Sequence, residues 1–468
     1  MLKEREFEAF HTATVQILEE VGFHVPDDQV LALLEKAGLK VEKTQQCIKF
    51  APHQITDAIQ RVPKEVRLYH RGTGADILLG GETRFMPSGT GIAIFDLSTG
   101  HRRDTRTSDV RDLLRLQDVL KHLDVARPVV TALEFNENSD LVECYLALCH
   151  TGKPFLHRTL NEKNAVMLVR MLTRVMEGEE NLRQRPPFVA VYCPKSPLSL
   201  TPDSVRCMLT FAAAGIPILI LSMAMGGATA PVTLHGLALL VNAEVLAGIT
   251  MIQTLYPDTP VLYGSVASIL DMRTAILALG APERGILNGL CAEIARRYQI
   301  PSVMGGLSTD AKELDEQAGF EKALTLWPLM GKADLVFGMG VMDSAGTYSF
   351  EQLVLDNEMI GAMKRLCQEI DSTLLPEELS LIKQIGWSGE YLSAEYTLAH
   401  FRSHWQPELM TRTSFPIWQQ KGKTLAATTR ERIVKRLAGD FPLYIDPATD
   451  QDLRRLLLDH GVVLPNIL

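Results

Sequence analysis

Several short apolar runs in this chain end on side chains suited to holding a charged ligand. One run leads into His157-Arg158-Thr159; others end on Tyr192 and Tyr263, and Tyr348 and Phe350 follow the last of them. With Phe95 and the thioethers of Met223, Met225 and Met339 they make up an aromatic and methionine set. Aromatic faces attract cations and recognise quaternary ammonium groups well; ordinary packing is the competing reading of the same residues. His157 or Arg158 could hold an anionic group. Alternation along a strand turns only one of the two inward, and their types leave open which. Asp310 and Glu134 could face a cation or cap the helices that follow them.

Glycine is frequent in the same stretches: Gly89, Gly91, Gly226, Gly227, Gly305, Gly306 and Gly340. Glycine lets a ligand approach the backbone closely, and it also serves tight turns. Gly305-Gly306 with Gly338 and Gly340 could form a phosphate site. Lys195 and Lys312 lie near run ends, but neither sits in apolar surroundings that would lower its pKa for Schiff-base chemistry. His157 has no partner at metal-ligand spacing, and Cys144, Cys149 and His150 do not share a helix face, so no bound metal is expected. No side chain stands out as a catalytic acid, base or nucleophile.

These residues need a scaffold that brings separated run ends together. The runs are Arg84–Met86, Val129–Leu133, Phe155–Leu156, Phe188–Tyr192, Ile218–Leu221, Val261–Tyr263, Ser302–Met304 and Leu335–Phe337, with helical patterns between them. Continuous apolar strands alternating with helices indicate a parallel sheet covered by helices, and eight units indicate closure into a (β/α)8 barrel. Pro128, Pro154, Pro187, Pro217, Pro260 and Pro301 precede six of the runs, as expected for a residue that cannot donate into a ladder. In such a barrel the functional groups sit at the C-terminal strand ends, where the residues above lie. The expected organisation is an α+β cap over 1–80, the barrel over 81–372 and a helical extension over 373–468. A hairpin at about 92–103 would sit over the mouth.

Composition narrows the partners. The 468 residues carry a formal net charge of −9, which argues against nucleic acid. Seven scattered cysteines without a C-x-x-C pair fit a reducing compartment, and the first residues show no apolar signal segment, so a cytoplasmic protein is expected. The most apolar stretch, 216–255, is broken by Gly226, Gly227 and Pro231 and contains Asn242 and Glu244, which reads as buried core and not as a membrane span.

Three strings in combination resemble the trimethylamine methyltransferase family of corrinoid-dependent enzymes. They are Gly226-Gly-Ala-Thr-Ala-Pro-Val-Thr-Leu234 running on to Asn242-Ala-Glu-Val-Leu-Ala-Gly248; Leu307-Ser-Thr-Asp-Ala-Lys312 with Asp315-Glu-Gln-Ala-Gly319; and Gly340-Val-Met-Asp-Ser344 with Ser349-Phe-Glu-Gln-Leu353 and Asp356-Asn-Glu358. The resemblance implies a (β/α)8 barrel that moves a methyl group from a methylated amine to the cobalt of a separate corrinoid protein, in one-carbon metabolism. It implies cobalamin supplied by that partner and a homo-oligomeric enzyme. Trimethylamine enzymes of the family carry pyrrolysine, whereas every residue here is a standard one. The resemblance therefore points to a quaternary amine: glycine betaine first, then proline betaine, carnitine or butyrobetaine. The contrasting readings are a barrel lyase or aldolase acting on a phosphorylated metabolite at Gly306 and Gly340, and a non-catalytic betaine-binding protein.

Overall fold

A computed structural model describes residues 3–387 and 389–464. Its centre is a curled parallel sheet. Arg84–Pro87 lies beside Leu335–Met339, followed in order by Ser302–Gly305, Val261–Ser265, Ile218–Ser222, Phe188–Tyr192 and Phe155–His157. The segment 124–127 fills the gap between first and last. Asp124 and Val125 donate N–H bonds to the Phe85 carbonyl (2.8 and 3.3 Å), and Leu156 N–H donates to the Ala126 carbonyl (3.1 Å). The (β/α)8 barrel is thereby closed. The second strand position lies before Pro128, not at Val129–Leu133, and Leu133–Asn138 is a short 3-10 turn. Pro128 has no N–H to extend the ladder. The Gln117 side chain takes both backbone groups of Arg127 instead: its Oε1 accepts from Arg127 N (2.8 Å) and its Nε2 donates to Arg127 O (2.9 Å).

The other prolines start strands for a reason visible in the ladder. Each lacks a donor, yet its carbonyl still accepts. Phe155, Ala190, Ile218 and Tyr263 donate to the carbonyls of Pro187, Pro217, Pro260 and Pro301, each at 2.9 Å.

Strand alternation sorts the core into two layers. Met86, Val125, Leu156, Val189, Val191, Leu219, Leu221, Leu262, Val303, Leu335 and Phe337 fill the barrel interior. The antiparallel pair Val66–Leu68 and Ile77–Leu79 joins the same cluster and seals the N-terminal end. Phe155, Phe188, Ala190, Tyr192, Ile218, Ile220, Tyr263, Met304 and Val336 belong to the outer layer, with the helices. The helix Leu234–Leu255 is long and apolar enough to cross a membrane, but most of its apolar window is buried inside the protein. Its polar residues have assigned partners. Asn242 donates to Thr14 Oγ1 (2.8 Å) and to the Tyr298 hydroxyl (3.1 Å), and so fastens the N-terminal helix Glu4–Glu20 to the barrel wall. Glu244 accepts from Ser222 Oγ (2.6 Å), Ser196 Oγ (2.9 Å) and Leu198 N (3.0 Å), fixing the loop after the fourth strand.

The loops after strands seven and eight are tied by a buried ion pair. Lys322 Nζ bonds Asp356 Oδ2 (2.9 Å) and the Leu307 carbonyl (2.9 Å), while Asp356 accepts from Gly340 N (2.7 Å) and Gln352 Nε2 (2.7 Å). Both side chains are fully buried. Removing one partner strands the other charge in the core, at a cost of about 3–5 kcal/mol. Lys322→Met is expected to lower stability by that amount in chemical denaturation, and Lys322→Met with Asp356→Leu to recover part of it. A single variant as stable as the parent would show that the pair does not hold these loops.

Candidate functional site

A cavity of about 530 Å3 opens at the C-terminal ends of the strands. Its floor is built from inward positions. Val191, Cys193, Leu221, Val266 and Phe337 supply apolar and thiol surface; Arg127, Arg158 and Arg284 supply charge. Met223, Leu277 and Leu279 stand nearer the rim, where Met223 is about half exposed. Ser88, Gly89 and Thr90 from the first loop and Ser344 and Ala345 from the eighth complete the wall.

Each arginine arrives by a different route. Arg127 continues the inward series begun by Val125, and its guanidinium lies 5.0 Å from the Phe337 ring centroid. Arg158 continues the series of Leu156, and its Nε donates to Thr90 Oγ1 at 3.3 Å. Arg284 comes from the first turn of the helix Pro282–Tyr298, and its Nη1 donates to the Val266 carbonyl at 2.7 Å. Gly305 makes room for it: a Cβ there would lie 2.4 Å from Arg284 Nη2. Arg127 and Arg284 are both buried, which lowers each pKa to about 10 and leaves both charged near neutral pH. Nε and Nη1 of Arg127 and Nε of Arg284 have no hydrogen-bond partner. The Cys193 thiol is pushed up to about 11 by burial, against the pull of Arg127 and Arg158, so at neutral pH it is not a thiolate.

The structure assigns opposite places to His157 and Arg158. Arg158 faces the cavity. His157 points outward and is fully buried, with its Nε2 2.7 Å from Glu143 Oε2. Burial lowers the histidine, aided by the nearby Arg127 and Arg158, and raises Glu143 to about 8. Burial thus favours the neutral form of both groups, whose facing atoms make contact without hydrogen-bond geometry. Glu143 Oε1 also accepts from Ala132 N (2.9 Å), so the pair braces the segment after the second strand position.

Of the aromatic set, Tyr192 reaches the cavity wall, with its hydroxyl 2.9 Å from Thr159 Oγ1. Tyr263 turns outward and donates to Asn242 Oδ1 (3.0 Å). The Tyr348 hydroxyl donates to the Met339 carbonyl (3.0 Å), and Phe350 packs in the outer core. Phe95 lies in the mouth hairpin Ala93–Phe95 with Arg102–Asp104, beside Thr347–Tyr348, and lines a separate groove with Lys312 and Arg430. Asp310 ties three loops: it accepts from Leu279 N (2.9 Å), Gly280 N (3.0 Å) and Ser344 Oγ (2.7 Å). Glu134 caps the helix Thr107–Val119 through Thr107 N (3.1 Å). Gly89 lines the cavity. Gly91 bridges to Val130, Gly226 ends a two-residue strand paired with Ser268–Ile269, and Gly227 begins the turn after it. Gly306 abuts Leu329 and the Thr325 carbonyl, and Gly340 abuts the Tyr348 ring. Sequence reasoning missed Arg127, Arg284 and Phe337. Only Arg127 left a trace, as a cation inside the apolar stretch Val125–Val130. Among the described residues, no group of three or more His, Cys, Asp or Glu is arranged to hold a metal ion.

A family model described as trimethylamine methyltransferase matches residues 1–460. The trimethylamine methyltransferase of Desulfitobacterium hafniense is 32% identical over 423 residues, covering 90% of this chain and 85% of the relative. A glycine betaine methyltransferase from the same species is 27% identical, covering 98% and 97%. Among solved structures, the monomethylamine methyltransferase of Methanosarcina barkeri superposes with a TM-score of 0.51 at 13% identity, covering 94% of this chain and 89% of that one. At that identity the likeness speaks for the fold alone.

The His157–Glu143 pair has a pH signature. A carboxyl whose pKa rises from 4.5 unfolded to about 8 folded binds more protons in the folded state between those values. Stability should therefore fall as pH rises through that window, by on the order of 1 kcal/mol per pH unit from this group. Glu143→Gln keeps a donor toward His157 and has no proton to lose. Its melting temperature should fall less steeply with pH than the parent's. Parallel pH profiles for parent and variant would show that Glu143 is already ionised in the folded protein.

Proposed function

The chain belongs to the trimethylamine methyltransferase family, and on that premise we propose that it moves a methyl group from a quaternary amine to the Co(I) of a separate corrinoid protein. The observation that carries the reading is the one-ended cavity. Its N-terminal end is sealed by the pair Val66–Leu68 and Ile77–Leu79, and of its three arginines Arg127 and Arg284 are buried. A donor with an anionic end and an N-methyl end settles with the anion down and the methyl toward the mouth, beside Met223, Leu277 and Leu279. The partner's cobalt can reach the methyl only there.

The chemistry asks little of the protein beyond this placement. The partner's Co(I) would supply an electron pair to the methyl carbon. The C–N pair stays on nitrogen, which leaves as a neutral tertiary amine. No proton moves, so the step needs no general acid or base. What the side chains contribute is orientation and exclusion of water, the entropic part of catalysis. An N(CH3)3+ group in the outer half meets the apolar rim of Met223, Leu277 and Leu279, away from the buried guanidinium groups. Glycine betaine is the first donor to test, with proline betaine, carnitine and butyrobetaine beside it, and trimethylamine as the comparison, since the chain contains no pyrrolysine.

Purified protein mixed with Co(I) cobalamin is expected to convert the Co(I) spectrum to that of methylcobalamin with at least one carboxylate-bearing quaternary amine, and not with trimethylamine or choline. Methylation from trimethylamine or choline at the same rate would sink the charge-oriented reading. Tight betaine binding without any methyl transfer would favour a binding protein.

A further inference from the structure

The charge balance of the cavity narrows the donor further, on the premise that this is the methyl-donor site. Three arginines line it and no carboxylate does. The nearest acids sit outside the lining: Asp310, whose charge still favours the charged form of Arg284, accepts from three donors across the mouth loops, Glu244 holds the loop after the fourth strand, and Glu143 lies behind the wall against His157. Lys322, the other fully buried cation of this barrel end, is matched by Asp356, whereas Arg127 and Arg284 each keep unpartnered N–H groups in a buried place. Buried charges in folded proteins are paired and hydrogen-bonded, and a buried guanidinium without an anion is costly. A simple betaine brings one carboxylate and one ammonium. It adds no net negative charge to a cavity lined by three cations.

The arginines also stand apart. Arg127 and Arg158 come from neighbouring second and third strand positions, near enough for the Arg158 charge to lower the pKa of Arg127. Arg284 enters on the far side, between the ends of strands six and seven, held by Val266 and seated over Gly305. The cavity, about 530 Å3, is at the scale that takes ligands well beyond a handful of atoms. We propose that the cavity takes a quaternary amine carrying two oxyanion groups, one bound by Arg127 and Arg158 and the other by Arg284. Guanidinium forks match carboxylate and phosphate geometry alike, so both kinds of oxyanion fall within the class.

The test needs neither cobalt nor methyl transfer. Affinities of the purified full chain would be measured by calorimetry for the dicarboxylates from succinate to adipate, for butyrate as the single-carboxylate probe, and for inorganic phosphate. At least one dicarboxylate is expected to bind about 10- to 100-fold more tightly than butyrate, the value of one further charge-assisted hydrogen-bonded contact. Arg284→Met should weaken the dicarboxylates far more than butyrate and so abolish that preference. Arg127→Met should weaken both probes. Melting temperatures of the variants establish that they are folded, and Arg284→Lys, which keeps the charge but loses the fork, should give an intermediate preference. Equal affinity for butyrate and every dicarboxylate would overturn the proposal. So would a preference that survives Arg284→Met, or phosphate binding as tightly as the best dicarboxylate, which would point to one oxyanion in place of two. A negative cobalamin assay would count against the methyl-transfer reading and leave these affinities to stand on their own.

Discussion

A closed parallel barrel buries each strand on both faces, so successive residues at every strand end have opposite environments. The chemistry of this protein follows from that period of two. At the third strand it sends Arg158 into the cavity and His157 against the helix Ser139–His150. At the fourth it puts Val191 and Cys193 on the inside while Tyr192 leans outward toward Phe211. At the sixth it turns Tyr263 to Asn242 and away from any ligand. A slip of one residue in the third strand would exchange the Arg158 cation in the cavity for an imidazole, and a slip in the fourth or sixth would bring in a phenol.

The two environments treat polar groups differently, and the difference locates the function. Between strands and helices many buried polar side chains meet partners: Asn242 with three residues, Glu244 with three and Lys322 with Asp356. These contacts tie the N-terminal helix and the mouth loops to the wall. Inside the cavity the same rule is suspended. Arg127 is held through its backbone by Gln117 and through its face by Phe337, which leaves its polar edge open. Most of the fold's polar chemistry is spent on rigidity, and the part left over faces the ligand.

The barrel was legible in the sequence because its strand starts are marked by proline, and the proline carbonyls prove to be ladder acceptors. The exception is instructive. At Pro128 the pattern matched the other five, but the strand position lies before the proline, because Gln117 supplies the pairing that the ladder loses there. The site was legible in part. Arg158, Tyr192 and Gly89 were found from their places at run ends. Tyr263 and Tyr348 were marked by the same logic, yet their hydroxyls bind Asn242 and the Met339 carbonyl. A run end gives the position along a strand but not the face. Arg284 had no sequence signal at all, since it lies on a helix and reaches the cavity only because Gly305 has no side chain.

Sealing one end of the barrel has a consequence for how a methyl donor can be used. Where a ligand can enter from either end, its orientation depends on contacts alone. Here the pair Val66–Leu68 and Ile77–Leu79 removes one route, and the buried arginines make the remaining floor attractive only to anions. A cationic N-methyl group is then repelled from the floor and drawn to the apolar rim by the same charges that hold the other end. Under the proposed function, the field that holds the donor's anionic end also aims its methyl group. Methyl transfer by displacement at carbon requires that one geometric condition and little else, so a site without a general acid or base can suffice, provided its charges are placed by strands whose register cannot slip.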